Sequence, residues 1–146
     1  MRVAITFNLI TGKLLKGSKI DVIAELDNMT TINAIKKSLE SGGHKAFAVN
    51  CNEDAYGKLY KMRNKTDMVF NIFEGLHGES RESEIPSMLE MMQIPYTGSD
   101  PLSLALCLDK IMTKRVLLYH GIPTPRFQVF STGMEKLDSG MRFPLI

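Results

Sequence analysis

Asp67-Met68-Val69-Phe70-Asn71-Ile72-Phe73-Glu74-Gly75-Leu76-His77-Gly78-Glu79 is the stretch whose reading decides the fold. Met68 to Ile72 is a short apolar run that reads as a buried strand, the third strand being Asp67 to Ile72, and the chain then opens into Gly75, His77, Gly78 and Glu79. A helical pattern follows from about Glu82 to Gln93, with Ile85, Met88, Leu89 and Met92 recurring on one face. In open α/β sheets a strand, polar loop and helix start in this order mark the place where ligands collect. The loops at the carboxyl ends of strands border a crevice, and helix N-termini offer unpaired N–H groups to anions.

Moving outward, the same alternation repeats. Arg2 to Asn8 reads as a first strand with Val3, Ile5 and Phe7 inward, close to the centre of a sheet. Thr30 to Ser41 carries Ile32, Ile35 and Leu39 at helical spacing, with Thr30 or Thr31 as the cap and Gly42-Gly43 as the stop. Lys45 to Asn50 is a second strand, and Glu53 to Met62 a weaker helix that contains Gly57. Residues 10 to 28 form a long connection, read either as a ligand-binding or mobile loop or as a surface hairpin with Gly17-Ser18 near its tip. Downstream, Ile94 to Thr97 reads as a fourth strand. Ser99-Asp100-Pro101 opens a helix running to Tyr119 and stopped by Gly121, Pro123 and Pro125. Phe127 to Phe130 reads as a strand, Met134 to Ser139 as a short helix, and Phe143 to Ile146 as a strand only begun, the mark of a truncated second domain. The fold class expected is α/β, with a parallel sheet covered by helices on both faces.

With 146 residues and 44% hydrophobic content the chain can bury one core. The 18 basic and 16 acidic residues are dispersed, which leaves no concentrated basic surface for nucleic acid. Cys51 and Cys107 stand apart from each other and from any Cys/His cluster. They read as reduced thiols of a cytoplasmic protein, with no metal site. No apolar stretch approaches the roughly 18 residues of a membrane span.

Asn71, Glu74, His77 and Glu79 bunch just past the buried strand and can orient an amino acid or a phosphate. His77 can donate to an anion or act as an acid/base, with a side-chain reference pKa of about 6.5. It can equally pin its own loop through a backbone carbonyl, which composition alone favours. Lys110 and Lys114 share a helix face that suits phosphate oxygens, or is simply solvated. The Met88, Met91 and Met92 segment reads as core filling. Neither a GxxxxGK[ST] loop nor a GxGxxG follows the first strand, so neither a P-loop enzyme nor a dinucleotide oxidoreductase is supported.

Several motifs carry a resemblance. His77-Gly78, Met88-Leu89-Glu90, Ile94-Pro95-Tyr96-Thr97-Gly98-Ser99, Ala105-Leu106, Leu108-Asp109-Lys110, Thr113-Lys114 and Gly121-Ile122-Pro123-Thr124-Pro125 together resemble the D-alanine-D-alanine ligase branch of the ATP-grasp superfamily. The match is dense from about Val69 to Phe130 and loose before Asn50.

The resemblance implies a Rossmann-like pre-ATP-grasp domain over residues 1–100 and the truncated beginning of an ATP-grasp domain over 101–146. It implies a parent enzyme that uses ATP and Mg2+ to turn an amino-acid carboxylate into an acyl phosphate, which a second amino acid attacks. Such an enzyme would be cytoplasmic and serve peptidoglycan synthesis for the cell wall, with an amino acid and ATP as small-molecule partners and a homodimer as the candidate assembly. By the same analogy Lys110 reaches the nucleotide phosphates, His77 and Glu82 belong to the substrate loop, and Glu25 holds the first substrate's ammonium group. No complete catalytic set and no metal ligand falls within the chain, so the fragment alone is expected to be inactive. Two departures concern the substrate. The family's His-Gly-x-x-Gly-Glu-Asp-Gly is replaced by His77-Gly78-Glu79-Ser80-Arg81-Glu82-Ser83-Glu84, and the usual Gly-Gly after the first strand by Asn8-Leu9. A ligase for other amino acids, or a stand-alone non-catalytic binding or regulatory module, are the alternatives.

Overall fold

The computed structural model describes residues 1–9, 28–75 and 77–144. β1 (Arg2–Phe7) forms the middle of the sheet, and its residues from Val3 to Phe7 are all buried, as a strand covered on both sides requires. It pairs in parallel with β2 (Lys45–Asn50), from Arg2↔Lys45 to Phe7↔Asn50, and with β3 (Met68–Asn71), from Val3↔Met68 to Thr6↔Asn71. The strand order is β2-β1-β3. The step from β1 to β2 goes one way and the step from β2 to β3 returns across β1, so right-handed crossovers must place their helices on opposite faces.

That is the arrangement found. α1 (Met29–Ser41) sets Ile32 against Ile5, Phe7 and Ala46. On the other face α2 (Ala55–Met62) and α3 (Glu84–Met91) bring Ala55, Leu59, Ile85 and Leu89 onto Ala4, Val69 and Phe73. Met88 and Met92 pack on this second core as expected, whereas Met91 is 68% exposed and fills nothing.

Several boundaries differ from the sequence reading for identifiable reasons. Asn28, rather than Thr30 or Thr31, caps α1, its side chain accepting from the Thr30 N–H at 2.8 Å. Asn caps at least as well as Thr, so the helix begins one residue earlier. α2 begins at Ala55 and α3 at Glu84, the latter behind a 3-10 turn over Arg81–Ser83. The fourth strand shrinks to a single parallel bridge, Val69↔Tyr96, made by Val69 N–H to Pro95 O (2.8 Å) and Thr97 N–H to Val69 O (2.9 Å). The next rung is taken by a side chain: the Asn71 N–H donates to Thr97 Oγ1 at 3.0 Å, and Gly98, at φ +100, turns the chain away.

The helix expected from Pro101 to Tyr119 is two helices, α4 (Pro101–Leu108) and α5 (Lys110–Tyr119). Asp109 leaves the helical region (φ −80, ψ 97) and its carboxylate accepts from the Ile111 and Met112 N–H groups at 2.9 and 3.0 Å. A short acidic side chain competes for backbone donors in this way and favours caps over helix interiors. α4 itself starts as expected, with Asp100 as cap and Pro101 in the first turn.

Neither the strand at Phe127–Phe130 nor the helix at Met134–Ser139 forms. Side chains hold this segment instead. Gln128 donates to Lys136 O and accepts from Asp138 N–H, and Glu135 accepts from the Ser131 and Thr132 N–H groups. No described strand pairs with 127–130, and six residues make too few internal bonds to sustain an isolated helix. Phe143 and Pro144 bend, and the rest of the expected final strand lies outside the described residues, as does the loop or hairpin read into residues 10 to 28 apart from Asn28, the cap of α1.

Candidate functional site at the carboxyl ends of the strands

The chain order reverses between β1 and β3, and there the polar residues at the strand ends lock together. Thr6 Oγ1 donates to Asn71 Oδ1 at 2.7 Å, and the Ile72 N–H donates to Thr6 O at 3.0 Å. Asn8, fully buried one residue past β1, accepts at Oδ1 from the Glu74 N–H (3.0 Å) and donates through Nδ2 to Gly75 O (3.2 Å). Gly75 is at φ +93, and a Cβ there would lie 2.5 Å from Arg81 Cβ and Cγ. Only glycine admits this close approach of the Arg81 stem, which sets Arg81 against Gly75 across the loop that carries His77.

His77 is exposed in that loop. With Glu53 and Glu84 it borders a cavity of about 210 Å³ whose apolar lining includes Ala55, Phe73 and Ile85. Partial burial raises the pKa of the Glu84 carboxyl, opposed by the nearby positive charges of His77 and Arg81. The cavity thus combines acidic groups and an imidazole with an apolar wall, a combination suited to a small zwitterion bearing an apolar side chain.

The other expected site residues are placed differently. Glu82 is half-buried in the 3-10 turn, against which α4 packs. Glu79 is exposed, and Glu25 lies outside the described residues. Lys110 opens α5 with its side chain exposed, its Nζ donating to Cys107 O at 2.7 Å among the carbonyls that α4 leaves unpaired at its end. Lys114 is not on a freely solvated face: Nζ donates to Thr124 Oγ1 (3.2 Å) and Pro125 O (3.0 Å) and lies over the Phe127 ring, tying α5 to the segment after it. No hydrogen bond or ion pair joins Lys110 to His77 or Glu82. Asn8, Thr6, Thr97 and Glu84 were missed as site residues. For Asn8 and Thr6 the available signal was a polar residue at the end of a fully buried strand, where an amide or hydroxyl must find partners.

No known protein-family model matches the chain. A D-alanine–D-alanine ligase of Moorella thermoacetica is 40% identical over 103 residues, 70% of this chain and 32% of the relative, and one of Pseudomonas fluorescens is 37% identical over 116 residues, 78% of this chain and 35% of the relative. A crystal structure of the D-alanine–D-alanine ligase of Bacillus anthracis complexed with ATP superimposes with a TM-score of 0.65 and 25% identity, covering 96% of this chain and 43% of that one. The chain is similar to the N-terminal part of D-alanine–D-alanine ligases. It spans about a third of the length of these two curated relatives. The α/β class and the Rossmann-like parallel sheet expected of that family's first domain are those observed. Among the described residues no helix is long and apolar enough to cross a membrane.

Proposed function

We propose that this chain is the N-terminal portion of an ATP-dependent carboxylate–amine ligase of the D-alanine–D-alanine ligase type, with residues 1–100 as the pre-ATP-grasp domain and 101–146 as the start of the ATP-grasp domain. The observation that carries this reading is the superposition of 96% of the chain on a ligase complexed with ATP. In this reading the loop from Gly75 to Glu84 orients an amino-acid substrate through His77 and Glu82, with Glu25 toward its ammonium group. Lys110, exposed at the start of α5, exchanges the Cys107 carbonyl for a nucleotide phosphate, which a charged donor binds more strongly. Acceleration comes from holding two reactants in place and from neutralising the transferring phosphoryl group.

Among the described residues no three His, Cys, Asp or Glu side chains converge as a metal ion requires. No step on this chain is assigned to Mg2+. A cytoplasmic location, a homodimer and a role in cell-wall peptidoglycan synthesis belong to the same reading. The 146-residue chain alone, a third of its relatives' length, is expected to release no phosphate from ATP with D-alanine.

The loop His77-Gly78-Glu79-Ser80-Arg81-Glu82-Ser83-Glu84 departs from the family's His-Gly-x-x-Gly-Glu-Asp-Gly, and a ligase for other amino acids is therefore the second reading. Phosphate release from ATP, measured with the protein of the full reading frame across D- and L-amino acids, tests both points. Release with D-alanine alone would restore the ordinary specificity. Release with none would overturn the ligase reading in favour of a binding module.

A further inference from the structure

The buried amide at the end of β1 has a geometry that the fold alone does not demand. A strand end can be covered by any small residue, yet Asn8 is fully buried and spends its carboxamide on the backbone of a segment 66 and 67 residues away. One oxygen accepts from the Glu74 N–H and one nitrogen donates to Gly75 O. This is the pattern a neighbouring strand would offer, supplied by a side chain where β3 has already ended at Asn71. Asn71 adds a second tie, accepting from Thr6 Oγ1 and, at 3.4 Å, from the Phe73 N–H.

We propose that Asn8 is a positioning residue that fixes the take-off of the His77 loop, so that the place of the imidazole at the strand ends is set from β1 through one buried carboxamide. The inference rests on the reading of this loop as the amino-acid loop of a ligase, but its structural half can be tested without any turnover.

Asn8→Asp keeps the shape and the acceptor and loses the donor to Gly75, and Asn8→Ala loses both. A buried acceptor left without its partner costs enough to loosen the loop roughly tenfold to hundredfold. The chain holds three histidines, His44, His77 and His120, so their ring signals resolve the effect by NMR. In either variant the His77 signals are expected to shift while those of His44 and His120 stay in place, and the Glu74 amide to exchange with solvent roughly tenfold to hundredfold faster. General destabilisation would not single out His77. Unmoved His77 signals in a folded variant would overturn the proposal. Should both variants fail to fold, the unsubstituted chain decides: a Glu74 amide protected like those of Ile5 and Val69 supports the tie, and one exchanging like an exposed loop amide refutes it.

In the full-length protein, Asn8→Asp is expected to raise the KM for the amino acid roughly tenfold and leave that for ATP unchanged. A full-length protein that turns over no amino acid would sink the ligase reading while the His77 signals still judge Asn8. An unchanged amino-acid KM in an active enzyme would remove the functional half of the proposal.

Discussion

At the scale of single residues, charge and space decide what each side chain can do. Gly75 meets both constraints, a positive φ and the Arg81 stem at 2.5 Å from where a Cβ would be. Gly75→Ala is expected to destabilise the chain by about 2 kcal/mol or more, measured by urea unfolding. Asp67 accepts from the Arg2 backbone N–H at 2.6 Å and from Arg2 Nε at 3.1 Å, and these bonds lower its pKa from 3.8 to about 2. Because the folded value is depressed, the pair's contribution is fully present above about pH 4 and is lost as the pH falls toward 2. Unfolding midpoints of the parent and Asp67→Asn should therefore converge between pH 4 and 2 and differ above it. Burial raises the Cys51 thiol to about 12, while Cys107 is exposed. Iodoacetamide at pH 8 should label one thiol in the native chain and two after denaturation, and rapid labelling of Cys51 in the native chain would show that β2 is not sealed by α2.

At the scale of elements, the break between α4 and α5 places Lys110 at a helix start instead of in mid-helix. Asp109 creates the break by accepting two N–H groups of α5. Asp109→Ala should cost about 0.5–2 kcal/mol in thermal or denaturant unfolding. If the two helices then merge, Lys110 leaves the end of α4, and ATP binding by the full-length protein should weaken along with stability. Asp109→Asn, which still caps, should preserve both. Spacing alone predicts one continuous helix here, because Leu104, Leu108, Ile111 and Leu118 keep a helical period across it. Hydrophobic periodicity does not register a cap inserted within one face, whereas side-chain geometry does. The fourth strand failed for a related reason: Thr97 Oγ1 took the hydrogen bond that the ladder would have used.

At the scale of the whole molecule, two cores separated by one sheet carry the stability. Leu89, fully buried among Val69, Phe73 and Ile85, is expected to cost about 2–5 kcal/mol when replaced by Ala, measured by the shift in unfolding midpoint. The parallel α/β class, the three strands and the helices on both faces were all readable from the chain. Each follows from local pattern: apolar periodicity, turn residues, and the rule that parallel strands need covered crossovers. The motif resemblance likewise lay in the order of residues from Val69 to Phe130. Pattern could not foresee which polar side chains would replace backbone partners: Asn8 for a missing rung at Glu74 and Gly75, Asp109 for a helix turn, Gln128 and Glu135 for the structure expected after Pro125. Such substitutions depend on atoms distant in sequence meeting within about 3 Å, and a donor or acceptor is drawn to them only once burial has taken its water away. Local spacing along the chain therefore determined the fold class, and only the closing of the sheet decided which polar groups hold the strand ends in shape.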